Sequence, residues 1–389
     1  MGDRYAVSAA EWARGALEAA KLARLAHSFA RDGAVVLENC LPHAVLDALS
    51  RRMDTDAAHQ LAESKWEERG ARGAGGHLQQ GPPRHAPYVH REIVANMFLE
   101  QAATAALGGG VCHFSFYNGN TNLPASGTQQ LHFDQGDWHW PDRASSAAAG
   151  EEWPHLPVNL VVNFSTEAIE PTDGPTQLYL GSHLETACAT GGVGSISDEM
   201  LRRRNRDAPP VLNCLPKGAA SFRDLRLWVS TATVCPSHLA TWSSDADHCC
   251  QQHRGTPNTG TLPRHMLAIC YSSARSPDYI GAVAGKGPRY DSVGHCWPLL
   301  FSDDARPAFS RDWWPDSAPP SRVDFNVQFT DQPVDHFGNV GGSDFWLPAP
   351  SPPSLGELGE DPPEWAVRLA RGGTIRGGDS ARLLEAARL

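Results

Sequence analysis

The apolar runs between residues 111 and 271 are short, and turn residues separate them. The strand candidates are 111–117, the stretch around His132, 158–164, 176–180, 219–228 and 265–271. Only 197–206 among them reads as a helix, so the crossover helices that a parallel sheet requires are missing. The pattern predicts an antiparallel sandwich or barrel, an all-β core with helices added around it. No internal repeat is apparent.

Ahead of that core the chain is helical. Residues 8–31 carry Trp12, Leu17, Leu22, Leu25 and Phe29 at helix-compatible spacing and read as one amphipathic helix ended by Gly33. A short apolar strand follows at 34–37, and Pro42 opens a second helix that reaches about residue 59. The charged, Gly/Pro-rich run 63–87 reads as a surface excursion, with His77, His85 and His90 as solvated loop residues. A third helix is expected over 91–107, stopped by Gly108, Gly109 and Gly110, and a Gly/Asn/Pro loop leads from the strand at 111–117 towards His132. Beyond Pro348 the composition turns rich in Pro, Gly and Glu, which reads as a linker with short helices near 363–371 and 379–388.

Composition removes several function classes. The formal net charge is −11 and no Lys/Arg block stands out, which argues against a nucleic-acid or anionic-membrane surface. Nine cysteines, an odd number without a CxxC, argue against a disulfide framework and for a reducing, cytoplasmic setting. No stretch approaches the roughly 18 apolar residues of a membrane span, and no apolar run of signal-peptide length opens the chain. Ala6 stands where a myristoylation signal from Gly2 wants Ser or Thr; the ending Ala387-Arg388-Leu389 is like the peroxisomal S-K-L address.

The chemistry starts at Q-Q-L-H-F-D-Q-G-D-W-H-W, residues 129–140. In a strand, side chains two apart share a face, so His132 and Asp134 present an imidazole and a carboxylate together. A mononuclear non-haem iron(II) site that activates O2 uses two His and one carboxylate on one face of an octahedron. The second imidazole has nine candidates after Asp134: His139, His155, His183, His238, His248, His253, His265, His295 and His336. His139 stands at an odd offset, and His183 follows the turn and strand of D-G-P-T-Q-L-Y-L-G-S-H. His253 opens H-R-G-T-P-N-T-G-T-L-P-R, a tight reversal that brings Arg264 back near the imidazole. A 2-oxoglutarate that chelates iron needs a planar, bidentate cation for its distal carboxylate, which Arg supplies.

His132-x-Asp134, D-G-P-T-Q-L-Y-L-G-S-H, K-G-A-A-S-F-R-D-L-R-L-W, H-R-G-T-P-N and Arg264 follow one another in an order that resembles the phytanoyl-CoA dioxygenase family of iron(II)/2-oxoglutarate oxygenases, over roughly 30–275. The resemblance implies a double-stranded β-helix, or jelly roll, in a single oxygenase domain over 1–345, with 1–110 helical and the core at about 111–275, followed by the 346–389 tail. It implies that His132, Asp134 and His253 ligate Fe(II) and that Arg264 binds the C5 carboxylate of 2-oxoglutarate. Trp138 resembles the aromatic that ectoine-hydroxylase-like members place beside the co-substrate, and Thr256 could add a hydroxyl. His183 is ordinarily not a ligand in this family and takes a structural role. The implied reaction couples O2-dependent decarboxylation of 2-oxoglutarate, with release of succinate and CO2, to hydroxylation of a small organic substrate; retention of Asp134 favours hydroxylation over halogenation. Residues 118–126 and 137–153 are expected to line the mouth.

Residues 229–252 depart from the family. Deleting these 24 residues restores a strand ending L-W-H-R-G, and the run itself lacks strand alternation. It reads as a surface loop, as a zinc site from Cys235, His238, His248, Cys249 and Cys250 whose spacing fits no common pattern, or as translated non-coding sequence, the reading we favour. Its presence raises the alternative of a non-catalytic jelly-roll binding protein; a metal-dependent hydrolase, which has no use for Arg264, is the third class.

Overall fold

A computed structural model describes residues 2–62, 76–79, 90–127 except 95 and 111, 131–132, 156–185, 196–230 except 197, 257–273, 296–300, 353–358 and 362–376. The chain opens with strand β1 (Arg4–Ala6), helices α1 (Ala9–Arg14) and α2 (Ala19–Asp32), strand β2 (Ala34–Glu38) and helix α3 (His43–Ala62). The single helix expected over 8–31 is two. Ser8 and Glu11 form a capping box, Gly15 ends α1 in the left-handed region at φ 69°, and Gln101 fills the break by accepting from the Leu17 N–H and donating to the Gly15 carbonyl. Glu11 also accepts from the Glu18 N–H and pairs with Lys21, so one buried carboxylate joins the two helices.

Strand β3 (His77–Gln79), helices α4 (Arg91–Val94) and α5 (Met97–Ala106) and strand β4 (Cys112–Asn122) come next. Three expectations change here. The excursion contains an edge strand, because His77–Gln79 pairs with Asn122–Asn120. The Gly/Asn run expected as a loop continues β4, held on one side by β3 and on the other by strand β11 (Arg264–Ser273). The helix expected over 91–107 breaks because Asn96 caps α5, its Oδ1 accepting from the Phe98 and Leu99 N–H groups.

The remaining elements are β5 (Leu131–His132), β6 (Asn159–Ser165), β7 (Gln177–Leu178), helix α6 (Asp198–Asp207), β8 (Val211–Leu212), β9 (Ala220–Asp224), β10 (Val229–Ser230), β12 (Cys296–Leu300) and helix α7 (Glu364–Ala370). One sheet runs β1-β2-β9-β6-β11-β4-β12 with β3 also on β4, and the other runs β5-β10-β7-β8. From β4 to β7 and again from β8 to β11 the chain alternates between the sheets, strand by strand. That alternation, with every pairing antiparallel except β1 on β2, is the double-stranded β-helix.

The strand expected over 219–228 is divided, because here the chain changes sheets. Asp224 accepts from the Arg226 N–H and pairs with its guanidinium, and the Leu227 N–H donates to the Asp224 carbonyl, closing a turn between β9 and β10. Val229 and Ser230, read from the sequence as the start of an interruption, extend the chain as β10 between β5 and β7. The main core lies between the large sheet and helices α2, α3 and α5, around Leu25, Phe29, Leu46, Phe98, Val162, Phe164, Phe222 and Ile269. A second cluster joins the tail to α3: Leu358, Trp365, Ala366 and Ile375 pack with Ala57, Ala58, Leu78 and Leu123. Helix α7 stands within the expected 363–371; residues 379–388 lie outside the described residues. Among the described residues Cys40, Cys112, Cys214 and Cys270 are free thiols, and no helix is long and apolar enough to cross a membrane.

Candidate functional site

Arg264 opens β11 and is 5 % exposed. Its Nε donates to the Asp173 carbonyl at 3.3 Å and its Nη2 to the Gly174 carbonyl at 3.1 Å. Both carbonyls belong to the D-G-P stretch, whose shape follows from its residues. The Asp173 N–H donates to Glu170 O while the Asp173 carboxylate accepts from the Glu170 N–H, Gly174 takes φ 68°, and Pro175 has no N–H to offer. The reversal at 257–263 is fastened to the same place. Thr259 and Gly260 donate to the Thr172 carbonyl, Asp173 bridges to Asn258, and the Asn258 amide donates to the carbonyls of Asn122 and Leu262.

Two neutral carbonyls do not neutralise a guanidinium. Nη1 is buried and has no hydrogen-bond partner among the described residues. Burial pushes the guanidinium down to about 10, with Asp173 opposing, so it stays charged at neutral pH. A buried guanidinium with an idle N–H has room for an anionic partner, and its planar fork suits a carboxylate.

His132 ends β5, with its backbone opposite Val229 of β10. Val229 follows Trp228 directly; Trp228 is anchored by its N–H to Ser182 Oγ and by its carbonyl to the Tyr179 N–H. Asp134, Trp138, His253 and Thr256 lie outside the described residues, and of His132 only the backbone is described. The zinc reading at Cys235, His238, His248, Cys249 and Cys250 falls outside them too. Among the described residues no group of three His, Cys, Asp or Glu is placed to hold a metal. Of the residues expected to line the mouth, Asn122 and Ser126 are buried, and Ser126 Oγ accepts from the Asn258 N–H.

Two of the histidines weighed as ligands have other partners. His183 is buried, bonds the Ala30 carbonyl through Nε2 and lies where a Cβ on Gly33 would meet its ring at 2.5 Å, so the glycine is what admits the imidazole. His265 is fully buried, with Nδ1 2.7 Å from Thr121 Oγ1 and Nε2 2.7 Å from Asp54 Oδ1. Burial holds its pKa below the ordinary value, with Asp54 opposing, so the ring is neutral: Nε2 donates to Asp54 and Nδ1 accepts from Thr121. Burial raises the Asp54 pKa, but His265 and Arg376 outweigh it, and the carboxylate is ionised. Arg376 donates through Nε and Nη2 to Asp54, and through Nη2 to the Pro263 carbonyl, the residue before Arg264.

Sequence reasoning missed Asp54, Arg376 and the two carbonyl anchors. D-G-P was a visible signal for the anchors. Nothing in the spacing of residues 54, 265 and 376 announces that they meet.

Comparison with known proteins bears on the same region. Residues 29–193 match the family model described as phytanoyl-CoA dioxygenase. Similar solved structures include the epimerase SnoN in complex with Fe3+, alpha ketoglutarate and nogalamycin RO, at 16 % identity over 66 % of this chain and 85 % of that one, with a TM-score of 0.43. The non-heme alpha ketoglutarate dependent carbocyclase SnoK matches at 13 % identity over 70 % and 92 %, TM-score 0.43, and EctD from S. alaskensis with 2-oxoglutarate and 5-hydroxyectoine at 15 % over 66 % and 77 %, TM-score 0.41. The family match takes in His132, Asp134 and Trp138 and stops before His253, Thr256 and Arg264. Over residues 29–193, then, the chain is similar to the phytanoyl-CoA dioxygenase family that its motifs resemble.

Proposed function

We propose that the protein is an iron(II)/2-oxoglutarate-dependent oxygenase that hydroxylates a small organic substrate. The observation that carries the reading is Arg264: a buried, charged guanidinium held by two backbone carbonyls, with Nη1 left for an anion. The family match over 29–193 supports it by covering the His132-x-Asp134 motif. Two imidazoles and a carboxylate, from His132, His253 and Asp134, have the donor chemistry that Fe(II) takes. Bound there, iron would supply the redox chemistry by which 2-oxoglutarate, O2 and a substrate C–H bond give succinate, CO2 and the hydroxylated substrate.

The chain's own residues do the rest. Arg264 receives the C5 carboxylate and, because its fork is fixed by the Asp173 and Gly174 carbonyls, orients the co-substrate along one line. By the resemblance of their motifs to the family's, Thr256 would add a hydroxyl and Trp138 an aromatic ring to co-substrate binding. Succinate release on incubation with iron(II), 2-oxoglutarate and O2, lost in Arg264→Ala, is the expected result. Turnover that ignores 2-oxoglutarate would instead support a hydrolase.

A second reading rests on Val229. β10 sets this residue, and not a histidine, opposite His132, whereas without residues 229–252 His253 would follow Trp228. In that reading this form binds a dicarboxylate without turning it over. Binding of 2-oxoglutarate without succinate release, with release restored by deleting 229–252, is its signature.

A further inference from the structure

Asn122 is the residue of β4 directly opposite Arg264. It is fully buried, and both Nδ2 and Oδ1 lack a hydrogen-bond partner among the described residues. Its backbone is not idle, since its carbonyl accepts from the Asn258 amide. Directly opposed residues of an antiparallel pair project from the same face with Cβ atoms about 4.5–5.5 Å apart. The unpaired Nη1 of Arg264 and the unpaired amide of Asn122 therefore belong to one place. Leaving a buried amide unpaired is destabilising, and a sequence that keeps one beside an unpaired guanidinium keeps two donors for one acceptor.

We infer that Asn122 is a carboxylate-binding residue, its Nδ2 donating alongside Arg264 Nη1 to the distal carboxylate of a keto-dicarboxylate. This rests on the proposed function for the identity of the ligand. The donor inventory suits it: a carboxylate is acceptor-only and has lone pairs for both N–H groups, leaving Oδ1 to accept from water. Asn159 gives the contrast. Its amide is also buried and unpaired among the described residues, but it pairs with Ser272 at the far end of β11 and has no such part.

The test is calorimetric binding to the full chain, loaded with Mn2+ without O2, of 2-oxoglutarate and of 2-oxobutanoate, which keeps the keto acid and lacks the distal carboxylate. Asn122→Ala and Asn122→Ser are expected to weaken 2-oxoglutarate at least about tenfold, the loss of one hydrogen bond to a charged group. Asn122→Asp, nearly isosteric but anionic, weakens it further, and 2-oxobutanoate binding stays unchanged in all three. Asn159→Ala leaves both ligands at the parent affinity. If the Asn122 variants, folded by circular dichroism, bind 2-oxoglutarate within twofold of the parent while Arg264→Ala loses it, the assignment of Asn122 fails and the proposed function stands. If the parent does not bind 2-oxoglutarate, or Arg264→Ala binds it unchanged, both fail.

Discussion

Arg264 and His265 are consecutive residues of β11, and the protein treats their side chains in opposite ways. His265 points to the helical layer, where Thr121 satisfies one ring nitrogen and Asp54 of α3 the other, with Arg376 of the tail closing the network over Asp54. Arg264 reaches the opposite way, to the segment that enters the second sheet, where it and its cross-strand neighbour Asn122 keep three buried polar atoms without partners among the described residues. Strand alternation assigns the two side chains to opposite faces of one sheet. One face is finished by the chain itself; on the proposed function the other would be finished by a ligand. The contrast separates structural from functional polarity more sharply than burial does, since Arg264, Asn122, His265 and Asp54 are all buried.

The largest effect expected from that contrast is on folding. Asp54→Ala leaves the buried His265 ring and the half-buried Arg376 guanidinium without their carboxylate, and should cost about 3–5 kcal/mol in urea unfolding. A loss under 1 kcal/mol would mean that the helical face is not held by this network. Arg264→Ala should do the reverse, changing stability less than Asp54→Ala while raising the 2-oxoglutarate dissociation constant by roughly 30-fold or more, about 2 kcal/mol for a charge-assisted pair. Equal effects on folding from both variants would erase the distinction.

The pH dependence comes next. Burial depresses the His265 pKa below its ordinary 6.5. The unfolded chain therefore takes up a proton before the folded one does. Stability present above pH 6.5 should fall as pH drops towards the folded pKa, by up to about 1.4 kcal/mol per unit for this one group. His183, depressed chiefly by burial, adds in the same direction. Urea midpoints between pH 7.5 and 5 in the parent and in His265→Gln isolate its share, and a parent curve flat over that range would contradict a neutral, buried ring. The smallest change is Thr121→Val, which removes the hydroxyl on Nδ1 and should cost about 1 kcal/mol with 2-oxoglutarate affinity unaltered.

Much of the architecture was legible in the chain because its information is local. Short apolar runs between Gly, Pro and Asn marked β6, β7 and β11, and Gly33 marked the end of α2. The errors came where a side chain from elsewhere settled the local choice. Gln101 fills the break at Gly15, Asn96 caps a new helix inside an apolar run, and pairing with β3 and β11 turns a Gly/Asn stretch into strand. The turn at Asp224–Leu227 was hidden inside what reads as one strand, because only the Asp224–Arg226 pair shows that the chain changes sheets there.

The site divides in the same way. By itself the sequence determined which residue types are to hand: a His-x-Asp pair, a D-G-P turn, and an arginine after a Gly/Pro reversal are contiguous patterns whose residue types suit metal and carboxylate binding. Only the tertiary structure decided which polar groups were left over. Whether Asn122, Arg264, His265 or Asp54 is satisfied depends on strand register and on helices and a tail more than a hundred residues away in sequence. A hydrogen bond is a matter of a few tenths of an ångström between such segments, and no linear spacing encodes it.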